Sequence, residues 1–340
     1  MGSLPGGMPG WMADERNEAE RGRGAAGAGL PDQPGELDRR SWWAALKRTV
    51  REFREDNLTD WAAALTYYGV LAVFPAILAL VSIVGLLGEG TAQALIDNLG
   101  QVAPGPAKEI FTSAIENLQQ NQGAAGIAFV IGLAVALWSA SGYVAAFMRA
   151  SNAIYDVDEG RPIWKSLPTR VLTTLVLLLL LAVTAVGVAL TGGLAEQVGK
   201  LLGVDETAVS VWQIAKWPVL IAIVSVMFAI LYWAAPNVKH PRFRWVSPGG
   251  LLAVVLWIVA SLAFALYVAS FSSYNETYGA IGGVIIFLIW LWITNIAVLL
   301  GAELNAELER GRQIEGGMDE DREPFLEPRD TRKMDSPGGG

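Results

Sequence analysis

The run Trp138-Ser139-Ala140-Ser141-Gly142 sets two serines in apolar surroundings, the first place to look for chemistry. A serine nucleophile needs a neighbouring base to take its proton. The chain has one histidine, His240, and it lies outside every apolar run. No cysteine is present, which excludes disulfides, thiol catalysis and Cys-ligated metal. The sequence has no HExxH, no phosphate-binding Gly-Lys loop and no GxGxxG behind a strand. Its apolar runs hold no carboxylate pair for acid–base or two-metal work. These residues predict no enzyme, no metal, no cofactor and no nucleic-acid partner.

The remaining polar residues of the apolar runs suggest binding instead. Thr66, Tyr67 and Tyr68 lie near the start of the first run. Ser139, Ser141 and Tyr143 lie in the second half of the next, with Arg149 and Asn152 just beyond. Asn295, Glu303 and Asn305 end the last. If successive runs cross a membrane in alternate directions, these groups share one depth. Polar groups in lipid face the bundle interior or a wet cavity. The expectation is a vestibule open to the cytoplasm, lined by Tyr68, Ser139, Ser141 and Asn295, with Arg149 and Glu303 paired at its mouth. Tyr67 and Asn152 are further candidates. The competing reading is that these groups join helices, at about 0.6 kcal/mol each. Pro75 predicts a kink in the first span, because proline removes a donor and crowds the preceding turn. Pro218 and Pro248 read as span starts, where a missing N–H costs little. Gly279, Gly282 and Gly283 permit close helix packing.

The elements that position these residues follow from composition. The 340 residues are 53% hydrophobic and 17% charged. A run of roughly twenty apolar residues crosses the hydrocarbon core as a helix. Six such runs are legible, at about 62–87, 124–147, 170–194, 213–235, 249–272 and 280–302. The fold class is therefore all-α, a polytopic membrane helical bundle with six transmembrane helices. Of the 25 basic residues, all but Lys108, Lys200 and Lys216 fall on one side of this arrangement. Orientation follows Lys and Arg, not the net charge of −8. Both termini are thus expected in the cytoplasm.

Outside the spans, residues 1–40 and 311–340 are rich in Gly, Pro and charge and read as disordered cytoplasmic tails. Within the membrane domain, 41–310, residues 41–60 form an amphipathic helix: Trp42, Trp43, Leu46, Val50 and Phe53 mark its apolar side. Lys47, Arg48, Arg51 and Arg54 fall elsewhere, which suits anionic lipid at the cytoplasmic face. A helix packed on the protein's own loops is the alternative. Residues 88–123 read as a small helical cap on the outer surface.

Several motifs, in order, resemble the YihY/BrkB family of inner-membrane proteins. They are Ala64-Leu65-Thr66-Tyr67-Tyr68 with Phe74-Pro75; Trp138-Ser139-Ala140-Ser141-Gly142 with Asn152; Pro236; Pro248-Gly249-Gly250; Tyr278-Gly279-Ala280-Ile281-Gly282 with Trp290; and Leu299-Leu300-Gly301-Ala302-Glu303. The resemblance covers about residues 45–310. It implies a multi-pass protein of the plasma (inner) membrane, six-helical, whose family has been linked by name to virulence and has carried a tRNA-processing ribonuclease label. The residues give that label no support. The expectation is a transporter or lipid-handling protein, with the bilayer and a small-molecule or lipid ligand as partners. An envelope scaffold recruiting partners through its tails or outer cap is the alternative. The absence of charge deep in any span argues against ion coupling. The sequence leaves self-association open.

Overall fold

The computed structural model describes residues 37–86, 122–189, 195, 203, 205–240, 246–270 and 274–334. Among these residues are seven helices and no strand. They are α1 (Arg39–Glu55), α2 (Leu58–Leu86), α3 (Gln122–Ile154), α4 (Ile163–Ala189), α5 (Glu206–Ala234), α6 (Pro248–Ser270) and α7 (Tyr274–Glu315). The expected cap at 88–123 falls almost wholly outside the described residues, as do residues 1–36 and 335–340 and the side chains of Pro75 and Gly279.

Local chemistry sets the helix ends. The Asp38 side chain accepts from the Arg39 N–H at 2.7 Å and that of Asp205 from the Ala208 N–H at 2.8 Å, capping α1 and α5. Helix α3 closes with Asp156 in the left-handed region (φ 51°), the Val157 N–H reaching back to the Asn152 carbonyl. Helix α7 closes the same way on Gly317 (φ 95°), with the Met318 N–H on the Gln313 carbonyl. A left-handed residue just past the helix satisfies the last carbonyls and turns the chain.

Among the described residues, four segments are long and apolar enough to span a membrane: Ile163–Thr184, Thr207–Ala234, Pro248–Val268 and Gly282–Glu315. Helices α2 and α3, with 29 and 33 residues, also exceed the roughly twenty needed. Large apolar side chains stand exposed along these helices, among them Leu172, Ile214, Leu262 and Leu266. Such continuous apolar surface suits lipid, not water.

The buried core sits at one end of the bundle, here called the basal end. The start of α2 (Leu58, Leu65), the end of α3 (Phe147, Ile154), the end of α5 (Leu231, Tyr232) and the last turns of α7 (Leu299, Ala302) pack there. The start of α6 joins them where Gly249 crosses Gly301. A Cβ on Gly249 would lie 1.9 Å from the Gly301 carbonyl oxygen, so only glycine permits that approach. The long helices therefore alternate in direction.

Several expectations change. Helix α1, expected at the lipid interface or on the protein's loops, packs one side against the last turns of α7. Arg48 is buried, its Nε donates to Glu307, and Ala45 packs with Leu304 and Leu308. Trp43 and Val50 remain exposed on its other side. Residues 311–334 are not a free tail. Helix α7 continues to Glu315, and the chain then returns across the basal end with Phe325 and Leu326 buried. Phe325 stacks on Tyr155 at 5.5 Å, and Pro328 bridges Val238. The apolar pair Phe325-Leu326 overcomes a composition that otherwise reads as solvated. Pro218 lies inside α5, not at its start, because that helix begins at Glu206, whereas Pro248 is the first residue of α6. Charge also reaches into the spans, since Lys216 and Arg170 both fall within the apolar segments. Lys216 is buried, donating to Gln213 Oε1 at 2.8 Å, so local partners take the place of hydration.

Candidate functional site

Asn295, deep in α7, joins three helices. Its Oδ1 accepts from the Tyr143 hydroxyl of α3 at 2.8 Å, and its Nδ2 donates to Thr66 Oγ1 of α2 at 3.1 Å. Thr66 in turn donates to the Ala62 carbonyl at 2.8 Å. Asn295 is 1% exposed, so this chain is a closed internal junction, the helix-joining arrangement. Glycines admit the neighbouring contacts: a Cβ on Gly69 would lie 3.2 Å from Leu291.

Two residues before Tyr143 on α3, Ser141 meets α4. Arg170 donates to Ser141 Oγ through Nε at 3.0 Å and Nη2 at 2.7 Å, while Ser141 donates to the Trp138 carbonyl at 2.7 Å. The Arg170 guanidinium stands 5.3 Å from the Trp138 ring centroid. The Arg149 guanidinium stands 5.8 Å from the Tyr68 ring, which abuts α3 at Gly142. Tyr67 is exposed and meets Tyr68 edge to face at 5.4 Å. Ser139 is half-buried on the same helix. Thus Tyr68, Ser141 and Arg149 gather around the α2–α3–α4 corner, while Asn295 is buried in its own junction.

Beside this corner lies a cleft of about 240 Å³, lined by Ala140, Tyr143, Thr174, Leu178, Met227 and Phe228 among others. Its walls are almost wholly apolar, and its polar groups come from Tyr143 and Thr174. The Tyr143 hydroxyl is committed to Asn295, and Thr174 Oγ1 donates to the Arg170 carbonyl at 2.8 Å. The cleft therefore suits a hydrocarbon guest. Arg170 and the cleft were not anticipated as a site; the signal was a basic residue on the first turns of an apolar run.

Asn152 belongs to a third arrangement. Its Nδ2 donates to Glu159 at 3.1 Å and its Oδ1 accepts the backbone N–H of Asn237 at 2.8 Å. Asn237 Nδ2 donates to the Asp158 and Asp330 carbonyls at 3.1 and 2.9 Å. Arg161, held by Glu159 at 2.7 Å, also donates to the Ala235 carbonyl at 2.7 Å. Lys165 fixes Asp330 at 2.7 Å. These bonds lock the α3–α4 turn, the end of α5 and residues 327–333 together. Glu159 and Asp330 are held below the usual carboxylate range; for Glu159 burial opposes the shift and the Arg161 bonds outweigh it, and for Asp330 the Lys165 bond leads.

Glu303 is 1% exposed, and its Oε2 has no hydrogen-bond partner among the described residues. It lies among carboxylates, Asp56, Asp156, Glu307 and Glu52. No ion pair joins it to Arg149 among the described residues, so the expected pair at the mouth does not form. Position along a helix gives depth but not rotation. Asp56 is pushed up to about 7 by burial and then by Asp156, Glu52, Glu307 and Glu55. Asp156 is pushed up to about 6, by burial first and Glu323 next.

The family model described as virulence factor BrkB matches residues 49–324. The chain belongs to that family. A Bacillus subtilis relative, named putative ribonuclease-like protein YfkH, is 32% identical over 257 residues, covering 74% of this chain and 90% of that protein. A UPF0761 membrane protein of Alkalilimnicola ehrlichii is 30% identical over 274 residues, 76% of this chain but only 57% of that longer protein. Another, from Idiomarina loihiensis, is 26% identical over 274 residues, 78% of this chain and 90% of that one. No solved structure matches. Family and apolar helices together make this BrkB-family chain a multi-pass membrane protein.

Proposed function

We propose that the chain is a six-span inner-membrane protein that binds a lipidic or amphipathic substrate in the basal half of the bundle, either to move it or to present it. The basal end is the cytoplasmic one in this reading, because the basic residues Arg161, Lys165, Lys239 and Arg329 gather there and basic loops stay inside. The observation that carries the proposal is the apolar cleft among α2, α3, α4, α5 and α7, with Arg170 and Arg149 beside it. An apolar pocket with few convergent polar groups is the usual form of a ligand site.

The role is non-enzymatic in this proposal. The ribonuclease-like name of the Bacillus subtilis relative supplies a direct check. Cleavage of tRNA by purified protein, abolished by a single substitution, would overturn it. The scaffold alternative draws less from residues 318–334, which are engaged across the basal end.

A thermal-unfolding screen of the detergent-purified chain against ions, metabolites and lipids tests the reading. A ligand at a hundred times its Kd adds about 2.7 kcal/mol. A lipid that raises the Tm of the wild type but not of Leu178→Trp, which fills the cleft, is the expected result. A shift from a water-soluble metabolite that survives in Leu178→Trp would contradict it.

A further inference from the structure

The cleft has a charged end. Arg170 lies one helical turn from Thr174, which lines the cleft, and its guanidinium is turned to Ser141 and Trp138 on α3. Arg149 reaches the Tyr68 ring at the same corner, and Arg170 lies within electrostatic reach of both Arg149 and Tyr68. Side chains on a helix point back toward its N-terminus, so Arg149, two turns beyond Ser141, leans back toward the level of Ser141 and Arg170.

Several buried or half-buried cations elsewhere in the chain are neutralised by carboxylates: Arg48 on Glu307, Arg161 on Glu159, Lys165 on Asp330, Arg312 on Glu309. Among the described residues, no carboxylate pairs with Arg149 or Arg170. These two like charges, at the corner beside an apolar cleft, are held instead by a hydroxyl and two aromatic rings. Such partners leave guanidinium donors for an anion. Guanidinium groups match phosphate oxygens in geometry and charge. Trp138, largely exposed beside Arg170, has the amphipathic character of residues at headgroup level.

We infer that this corner is a binding site for one anionic diacyl phospholipid, its phosphate held between Arg149 and Arg170 and an acyl chain in the cleft along Tyr143, Leu178 and Phe228. The inference rests on the lipid-binding reading above and adds the headgroup chemistry. Charge complementarity selects the occupant: an apolar wall alone would accept any hydrocarbon, but two cations at its head select a lipid carrying net negative charge.

The test is native mass spectrometry of the full chain, released from detergent after incubation with phosphatidylglycerol, phosphatidylcholine or inorganic phosphate. The expected result is one retained phosphatidylglycerol, bound at least tenfold more tightly than phosphatidylcholine, with no retained inorganic phosphate. In Arg149→Gln/Arg170→Gln that preference falls at least tenfold, and in Leu178→Trp both lipids are lost. Arg149→Lys/Arg170→Lys, which keeps the charge, retains part of the preference, and an unchanged unfolding temperature shows that the variants fold. Equal retention of the two lipids, lost in Leu178→Trp but not in the Gln variant, would overturn the headgroup inference and leave the cleft as a lipid site. Retention of inorganic phosphate on the arginines with no lipid preference would also overturn it. Lipid retention indifferent to Leu178→Trp would remove the underlying reading as well.

Discussion

Asn237 donates its backbone N–H to the Oδ1 of Asn152, 85 residues earlier, at 2.8 Å. Both residues are buried, and the bond ties the end of α5 to the end of α3. Through the Asn237 side chain the same junction holds residues 327–333, whose Arg329 N–H donates to the Asn237 carbonyl at 2.8 Å. Asn152→Ala strands a buried N–H, a loss of about 1–3 kcal/mol. The expected outcome is a lower Tm in detergent together with faster proteolysis between residues 316 and 334. Protease resistance equal to wild type would show that the segment is held by its apolar residues alone.

The crossing of α6 and α7 at Gly249 and Gly301 gives a second prediction. A Cβ on Gly301 would lie 2.4 Å from the Gly249 carbonyl oxygen. The backbones must separate to admit a methyl group, and overpacking of this kind costs about 1–3 kcal/mol. Gly301→Ala is therefore expected to lower the Tm clearly. Gly283→Ala, where nothing lies within 4 Å, is expected to leave it unchanged.

A third prediction concerns pH. Asp56 rises from 3.8 to about 7 and Asp156 to about 6 in the folded chain, chiefly through burial. An acid with a raised folded pKa binds its proton more tightly when folded. Its stabilising contribution is largest below the unfolded value and fades as pH rises from about 4 to about 7. His240, lowered to about 4 by burial, works in the opposite sense but is common to wild type and variant. Asp56→Asn should thus melt above wild type at pH 8 and show a flatter pH profile between 4 and 7. Asp156→Asn should act likewise over a narrower range, since asparagine tolerates the left-handed backbone there. Parallel profiles for variant and wild type would show that neither carboxyl binds its proton more tightly in the folded chain.

Much of this was legible in the sequence, though unevenly. The apolar runs located α2 to α7 because lipid demands long uninterrupted helices, and the pairing of Gly249 with Gly301 gives two of the motifs a packing role. Asn295 and Thr66 were visible as polar residues at one depth, yet depth left their rotation open. The structure turns them toward each other and turns Glu303 away from Arg149. By sequence Arg170 counts only among the basic residues that set orientation, since a sequence does not show that a guanidinium on the first turns of a span folds back onto Ser141. The C-terminal residues misled by average composition, where Phe325 and Leu326 outweigh the glycines and charges around them.

Orientation can be measured cleanly because the chain has no cysteine of its own. Lys239 is exposed at the basal end, and Thr207 is exposed at the opposite end of α5. With the basal end in the cytoplasm, a membrane-impermeant maleimide added to intact cells should label Thr207→Cys and spare Lys239→Cys until the membrane is opened. The reverse pattern would place the basic end outside.

Photo-crosslinking with a phospholipid bearing a diazirine on its acyl chain addresses the central claim most directly. After irradiation of the full chain in a bilayer, adducts mapped by peptide mass should concentrate on residues 140–144 of α3, 174–181 of α4 and 227–231 of α5, and decline sharply in Leu178→Trp. Adducts spread evenly over the exposed faces of α4, α5 and α6, unchanged in that variant, would mean that the bilayer merely surrounds the protein and that the cleft holds no lipid.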